Sequence, residues 1–131
     1  MVDRAELIQV VREAAADALA IDPAQVGDDA NLHELGAQSL EFLDIVFKLE
    51  QRYDIEITRG EMERAARGDL SEEVFAPSGE ISPIGLDRLR ELMPESAHRV
   101  VPGLRVSQIL SLFTVGTFVR IVETKLGVEA A

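Results

Sequence analysis

The sequence predicts an all-α fold, a small helical bundle in a single domain. Apolar residues recur at three- and four-residue spacing, and capping residues and glycines bound these stretches. The chain has 131 residues, of which 47% are hydrophobic and 28% charged, so it can bury one core of modest size. It has no cysteine, which excludes a disulfide framework. Any thiol chemistry must therefore come from an added group.

The first predicted helix begins near the start of the chain. Asp3 is a suitable N-cap, and apolar residues follow at helical spacing to about Ala20. Residues 21–37 are rich in glycine, proline, asparagine and aspartate, which predicts a loop long enough to cross from one end of a bundle to the other. We expect Leu32 and Leu35 to fasten this loop to the core.

A second helix is predicted from Ser39, which lies at or beside its N-cap. Its predicted apolar face consists of Leu40, Leu43, Val46, Phe47, Leu49 and Tyr53. Thr58 and Glu61 have the spacing of a capping box. They predict a third helix that runs to about Arg67, where Gly68 ends it.

The sequence after the third helix indicates a fourth helix. Residues 71–75 are compatible with a short helix or with a strand. Ser82 followed by Pro83 is typical of an N-cap and first turn, and the apolar spacing that follows extends to Pro94. A fourth helix is therefore predicted between Ser82 and Pro94.

The last part of the chain predicts one more long helix. Residues 95–105 indicate a loop, and residues 106–112 one or two helical turns. Thr114 is a suitable N-cap for a final helix that Gly127 ends.

The charge of the chain limits its partners. There are 24 acidic residues against 13 Lys and Arg, a net charge of −11, which argues against binding to nucleic acid. Residues 1–57 alone hold 13 acids and 4 basic residues. This half can steer basic partner proteins over about 8 to 10 Å at physiological salt. An acidic face kept only for solubility explains the same charge.

The sequence also predicts where the protein is located. The uncharged stretch from Val106 to Val119 is too short and too polar to cross a bilayer, so we expect no membrane span. The first residues lack the basic and apolar regions of a secretory signal, which predicts a cytoplasmic protein.

The sequence around Ser39 carries the strongest functional pattern. It runs Leu35-Gly36-Ala37-Gln38-Ser39-Leu40, continues as an acidic-faced helix to Tyr53, and ends Asp54-Ile55-Glu56-Ile57. This pattern closely resembles the acyl carrier protein family. The resemblance implies that a phosphopantetheinyl transferase attaches 4'-phosphopantetheine to Ser39, and that the cofactor thiol holds acyl intermediates as thioesters. It also implies a partner-recognition surface made of Gln38, Leu40, Glu41 and Asp44.

The resemblance extends to the end of the chain. Phe113-Thr114-Val115-Gly116 is similar to the start of the last carrier helix. We therefore expect a single acyl carrier domain over residues 1–131, with a carrier core of 1–57 and 106–127. Residues 58–105 are then an extra helical insertion between the second and last carrier helices. Gln38 departs from the family pattern, which usually has aspartate before the serine.

Two hypotheses account for the insertion. Its sequence from Gly68 to Phe75, together with the stretch from Phe42 to Phe47, resembles specialised carriers of very long acyl chains for lipid A. This resemblance implies a specialised fatty-acid or lipid pathway. Extra apolar residues would deepen an acyl groove, namely Ile84, Leu86, Leu89 and Leu92. The competing hypothesis is a docking surface made of Arg59, Arg64, Arg67, Arg88 and Arg90.

The resemblance also implies partners. They are a phosphopantetheinyl transferase, an acyl-ACP synthetase or ketosynthase, and an acyltransferase, with an acyl chain as cargo and the carrier itself a monomer. Two alternatives stay open. One is an aminoacyl, peptidyl or polyketide carrier, and the other is a cofactor-free interaction module with the same fold.

Enzymatic and metal-binding functions have little support, and we expect neither. A nucleophile elbow needs glycine two residues either side of the serine, but Ala37 and Glu41 stand there. His33 and His98 are isolated in polar segments, which is typical of surface histidines. The acids of the long loop do not have the spacing of a calcium site: Asp28, Asp29 and Glu34.

Overall fold

The computed structural model describes residues 3–127, and over this range the chain is helical without a strand. The α-helices of this range are α1 (Arg4–Leu19), α2 (Ser39–Tyr53), α3 (Arg59–Arg67), α4 (Glu72–Phe75), α5 (Pro83–Leu92) and α6 (Val115–Leu126). Short 3₁₀ helices lie between them at Pro23–Gln25, Pro94–Arg99 and Val106–Leu112. The predicted all-α fold is confirmed for this part of the chain.

The predicted helix ends are confirmed by their capping contacts. The side chains of four N-caps accept a backbone N–H from the first turn of their helix: Asp3, Thr58, Ser82 and Thr114. Gly68 and Gly127 end α3 and α6 at φ values of +61° and +72°. Glycine adopts this backbone conformation without the steric cost that a Cβ brings.

Two segments between the long helices are helical, although the sequence left one of them undecided and predicted a loop for the other. Residues 72–75 form α4, and Ser71 is its N-cap, because the Ser71 hydroxyl accepts the Val74 N–H at 3.3 Å. The prediction of a loop over residues 95–105 is wrong for its first part, which belongs to the Pro94–Arg99 helix. Met93 and Val100 flank this helix and are both buried. The short helix is therefore fastened to the core at both of its ends.

The helices enclose one hydrophobic core. Helix α1 packs against α2 and α6, and α3 packs against α5 and α6. Helix α5 also contacts α4 and the Pro94–Arg99 helix. The long loop is fastened as predicted, since Leu32 is fully buried and Leu35 is partly buried. The division into a carrier core and an insertion stays a prediction.

The predicted apolar face of α2 is partly wrong. The helix buries Phe42, Ile45 and Leu49, and the Phe42 ring stacks on Phe118 with ring centroids 6.3 Å apart. By contrast, the exposed fractions of Leu40, Leu43 and Phe47 are 73%, 66% and 55%. Apolar residues surround most of α2, so their spacing does not decide which side is buried. We call Leu40, Leu43 and Phe47 the α2 patch.

Within residues 3–127, no helix combines the length and the apolar character that a membrane span requires. The predicted cytoplasmic location stays a prediction.

Candidate functional site

Ser39 is the first residue of α2, and its side chain is exposed. Gln38 occupies the N-cap position, where its backbone N–H donates to the Glu41 carboxylate at 2.8 Å. The Gln38 carbonyl accepts the first helical hydrogen bond, from the Phe42 N–H at 3.0 Å. The Ser39 hydroxyl is therefore not the capping group of its helix.

Residues 29–38, which we call the approach segment, lead to Ser39 in a tightly held conformation. The Leu32 N–H donates to the Phe113 carbonyl at 3.1 Å, and the Ala37 N–H donates back to the Leu32 carbonyl at 3.0 Å. Gly36 has a φ of +110°, which suits glycine and few other residues. Ala37 is fully buried. Ser39 thus projects from an anchored turn.

Asp29 joins the approach segment to the start of α6. Its carboxylate accepts hydrogen bonds from the Gly116 N–H at 3.0 Å and from the Thr114 hydroxyl. A Cβ at position 116 would lie 2.5 Å from an Asp29 carboxylate oxygen, so a larger residue there would push this carboxylate away. The Thr-Val-Gly sequence at the start of α6 therefore serves this contact.

An apolar pocket of about 360 Å³ begins at Ser39. It lies between α2, α3 and the Val106–Leu112 helix. Its apolar lining consists of Phe42, Leu43, Val46, Ile57, Met62, Val106, Ile109, Leu110 and Phe113. Arg59, Glu63 and Ser107 also line it. An exposed hydroxyl therefore stands at the edge of a cavity suited to an apolar ligand.

The insertion residues predicted to deepen an acyl groove do not line this pocket. Leu86 and Leu89 are buried, while Ile84 is exposed. The hypothesis is therefore wrong for the pocket beside Ser39. The sequence did not predict that the Val106–Leu112 helix forms one wall of the pocket. The signal available for it was the uncharged and largely apolar sequence of this helix.

The predicted recognition residues lie together on the outer side of α2. Leu40, Glu41 and Asp44 line a shallow depression, which also includes Leu43 and Phe47 of the α2 patch. Gln38 is exposed at the N-cap position, where the same helix begins. The surface thus combines exposed apolar side chains with carboxylates.

Lys48 pairs with Asp44 of its own helix and with Asp17 of α1. The Lys48 ammonium donates to Asp44 at 2.8 Å and lies 3.0 Å from Asp17. The hydrogen bond to Asp44, followed by that to Asp17, raises the pKa of Lys48. This lysine therefore stays charged and offsets part of the acidic surface.

Two acids of the long loop, Asp28 and Glu34, have basic partners. Glu34 accepts hydrogen bonds from His98 and from the Arg99 guanidinium, the latter at 3.0 Å, and these contacts lower its pKa. Asp28 lies 3.8 Å from Arg12. Within residues 3–127, no three His, Cys, Asp or Glu side chains come together as a metal site.

The arginines of the insertion are mostly paired with acids. The ion pairs are Arg59–Glu63, Arg67–Glu72, Arg88–Asp69 and Arg90–Asp87. Arg64 is exposed. The hypothesis of a basic docking surface therefore loses most of the net charge on which it depends.

Known proteins match about half of the chain. Residues 9–66 match the family model described as a phosphopantetheine attachment site. The chain is 35% identical over 63 residues to an acyl carrier protein of Rubrobacter xylanophilus, a match that covers 47% of this chain and 78% of that protein. It is 29% identical over 72 residues to an acyl carrier protein of Thermotoga maritima, covering 53% of this chain and 89% of that protein. No solved structure matches significantly.

Proposed function

The chain belongs to the acyl carrier protein family, and on that basis we propose that Ser39 carries its prosthetic group and that the chain delivers acyl intermediates to partner enzymes. The prosthetic group is 4'-phosphopantetheine. When bound, it supplies the thiol that holds an acyl chain as a thioester, which a chain without cysteine lacks. Proteins of this family are carriers rather than catalysts.

One observation supports Ser39 above all. Its hydroxyl is exposed, is not needed as a cap, and stands at the edge of the apolar pocket. The free N–H groups of the first turn of α2 favour an anion by about 0.3 to 1 kcal/mol at an exposed site. This end of α2 therefore suits a phosphodiester.

The pocket supports an acyl cargo over an aminoacyl or peptidyl one. Burial of each methylene stabilises by about 0.8 kcal/mol. The lining offers apolar side chains from Phe42, Met62 and Ile109 and few polar groups. A charged or strongly polar cargo would lose hydration there without gaining enough hydrogen bonds.

The outer surface of α2 supports the proposed docking of partners. The α2 patch supplies apolar contacts, while Glu41 and Asp44 attract basic side chains. We propose that the phosphopantetheinyl transferase, the acyl-ACP synthetase or ketosynthase, and the acyltransferase use this surface in turn. Because Gln38 stands where the family usually has aspartate, this surface has one acid fewer. This difference favours a restricted set of partners in a specialised lipid pathway.

Coexpression with a broad-specificity phosphopantetheinyl transferase tests the proposal. We expect the intact mass of the chain to increase by one phosphopantetheine. The increase should vanish in Ser39→Ala and persist in Ser107→Ala, which removes another serine hydroxyl at the same pocket. A wild-type chain that gains no mass with any transferase would instead support the cofactor-free interaction module.

A further inference from the structure

A buried polar contact joins the predicted insertion to the approach segment. Asn31 and Ser96 are 5% and 0% exposed, and the Asn31 amide donates to the Ser96 hydroxyl at 2.8 Å. The Ser96 hydroxyl in turn donates to the Leu112 carbonyl at 2.6 Å. Buried polar side chains with all partners in place fix one relative position of the segments they join.

The remaining polar atoms of Asn31 are also used. Its second amide hydrogen is donated to the Ser111 carbonyl at 2.9 Å, and its amide oxygen accepts the Glu34 N–H at 2.9 Å. Ser111 and Leu112 belong to the helix that forms the pocket wall. One side chain thus ties together the approach segment, the Pro94–Arg99 helix and that wall.

A second contact links the same two segments at the surface. The Glu34 carboxylate accepts hydrogen bonds from His98 and Arg99, the last two residues of the Pro94–Arg99 helix. The hydrogen bond between Arg99 and Glu34 joins two charged groups, and such bonds are stronger than neutral ones. The Pro94–Arg99 helix therefore holds the approach segment both in the core and at the surface.

We propose that the Pro94–Arg99 helix is a brace that sets the position of Ser39 relative to the pocket, with Asn31 and Ser96 as positioning residues. The proposal rests on the proposed role of Ser39. The turn between Leu32 and Ala37 is hydrogen-bonded and anchored in the core, so a displacement at Asn31 reaches Ser39. In this proposal the insertion positions a residue of its own chain, Ser39.

Two serines make a matched pair for testing the brace. The Ser96 hydroxyl donates to one backbone carbonyl and accepts one N–H from Asn31. The Ser82 hydroxyl likewise donates to the Val74 carbonyl at 2.6 Å and accepts the Gly85 N–H at 3.0 Å. Both partners of Ser82 lie within the insertion. Ser96→Ala and Ser82→Ala each remove one donated and one accepted hydrogen bond, although Ser96 is fully buried and Ser82 only partly. Only Ser96→Ala releases the approach segment.

Amide hydrogen exchange of the full chain without its prosthetic group measures the brace directly. We expect Ser96→Ala to speed exchange at residues 32–37 by about tenfold, the effect of losing a buried hydrogen bond on a local equilibrium. Ser82→Ala should leave these amides as in the wild type. Equal exchange at residues 32–37 in the two variants would overturn the proposal.

Loading kinetics with a phosphopantetheinyl transferase and coenzyme A give the second measurement. A looser approach segment presents Ser39 correctly for a smaller fraction of the time, which weakens apparent affinity by that fraction. We expect Ser96→Ala to raise the KM for the carrier by roughly tenfold with little change in kcat. An unchanged KM would also overturn the proposal. If the wild type took up no phosphopantetheine, the proposed function would fail, and hydrogen exchange would still decide the brace.

An exposed variant covers the case in which Ser96→Ala folds poorly. Glu34→Gln weakens the contacts to His98 and Arg99 without a change in the core. We expect faster exchange in the approach segment and a higher KM, both smaller than in Ser96→Ala. Glu95→Gln, on the same short helix, is the control for the lost charge. Identical hydrogen exchange in Glu34→Gln and Glu95→Gln would show that the contacts of Glu34 with His98 and Arg99 do not hold the approach segment.

Discussion

Ser39 gives its helix little stability, because the backbone of Gln38 and the carboxylate of Glu41 make the capping contact of α2. Thr114 is the opposite case, since its hydroxyl accepts the Thr117 N–H at 3.2 Å at the buried start of α6. The serine that we propose as the attachment site is therefore not needed to cap its helix, whereas the Thr114 hydroxyl is.

This difference predicts the stability of two alanine variants. Ser39→Ala should change the free energy of unfolding by no more than about 0.5 kcal/mol, as surface substitutions do. Thr114→Ala should cost about 1 to 2 kcal/mol, because it removes a cap. Urea unfolding of the chain without its prosthetic group measures both. A large loss in Ser39→Ala would show that its hydroxyl has a structural role.

Glu61 predicts a pH dependence at the start of α3. Its carboxylate lies 2.9 Å from the Lys125 ammonium and accepts the Thr58 N–H at 2.9 Å. The Lys125 contact, followed by the Thr58 backbone, holds its pKa below the usual 4.5. The ionised carboxylate therefore stabilises the fold above pH 4.5, and this contribution is lost as the pH falls through the lowered pKa.

Thermal unfolding between pH 7 and pH 3 checks this dependence. Glu61→Gln should have a lower Tm than the wild type at pH 7, and the difference should shrink towards pH 3. Glu56→Gln provides a control for the loss of an acid. Curves for the wild type and Glu61→Gln that stay parallel over the whole range would contradict the role given to this carboxylate.

At the scale of the element, α2 divides its apolar residues between the core and the surface. Phe42 is 3% exposed and stacks on Phe118, whereas Phe47 is more than half exposed. Phe42→Ala should therefore destabilise the chain by about 3 to 5 kcal/mol. Phe47→Ala should stay within about 0.5 kcal/mol of the wild type while weakening the binding of a partner enzyme. Unfolding and binding measurements on the same two variants test both halves.

The helix ends could be predicted because their physics is local. A cap such as Ser82 and a terminating residue such as Gly127 act within one turn, and both lie at the ends that the sequence predicted. The buried side of α2 could not be predicted in this way. Leu43 and Ile45 are both strongly apolar, and the packing of α2 against α1 and against Phe118 of α6 decides which of them is buried.

At the scale of the molecule, the pocket predicts that cargo stabilises the fold. Each methylene that enters should add up to about 0.8 kcal/mol until the cavity is full. The Tm of carriers loaded with longer saturated acyl chains should therefore rise and then level off. Val46→Trp, which fills the pocket from α2, should abolish the rise. A Tm independent of chain length in the wild type would place the cargo outside the pocket.

The long-range contacts explain why the site could be predicted only in part. Ser39 and the acids of α2 lie within one continuous motif, so their proximity follows from the sequence. Asn31 and Ser96 are 65 residues apart, and their contact depends on the packing of the Pro94–Arg99 helix. No local pattern marks either residue. The Val106–Leu112 wall is likewise brought to Ser39 by the fold as a whole.

The absence of cysteine makes a thiol count the most direct test of Ser39 as the attachment site. The chain alone has no thiol, so treatment with a phosphopantetheinyl transferase and coenzyme A should introduce one titratable thiol per chain after the coenzyme is removed. Acyl loading should mask it, and hydroxylamine should restore it. Ser39→Ala should show none at any stage. A thiol that persists in Ser39→Ala, or none in the treated wild type, would contradict the assignment of Ser39.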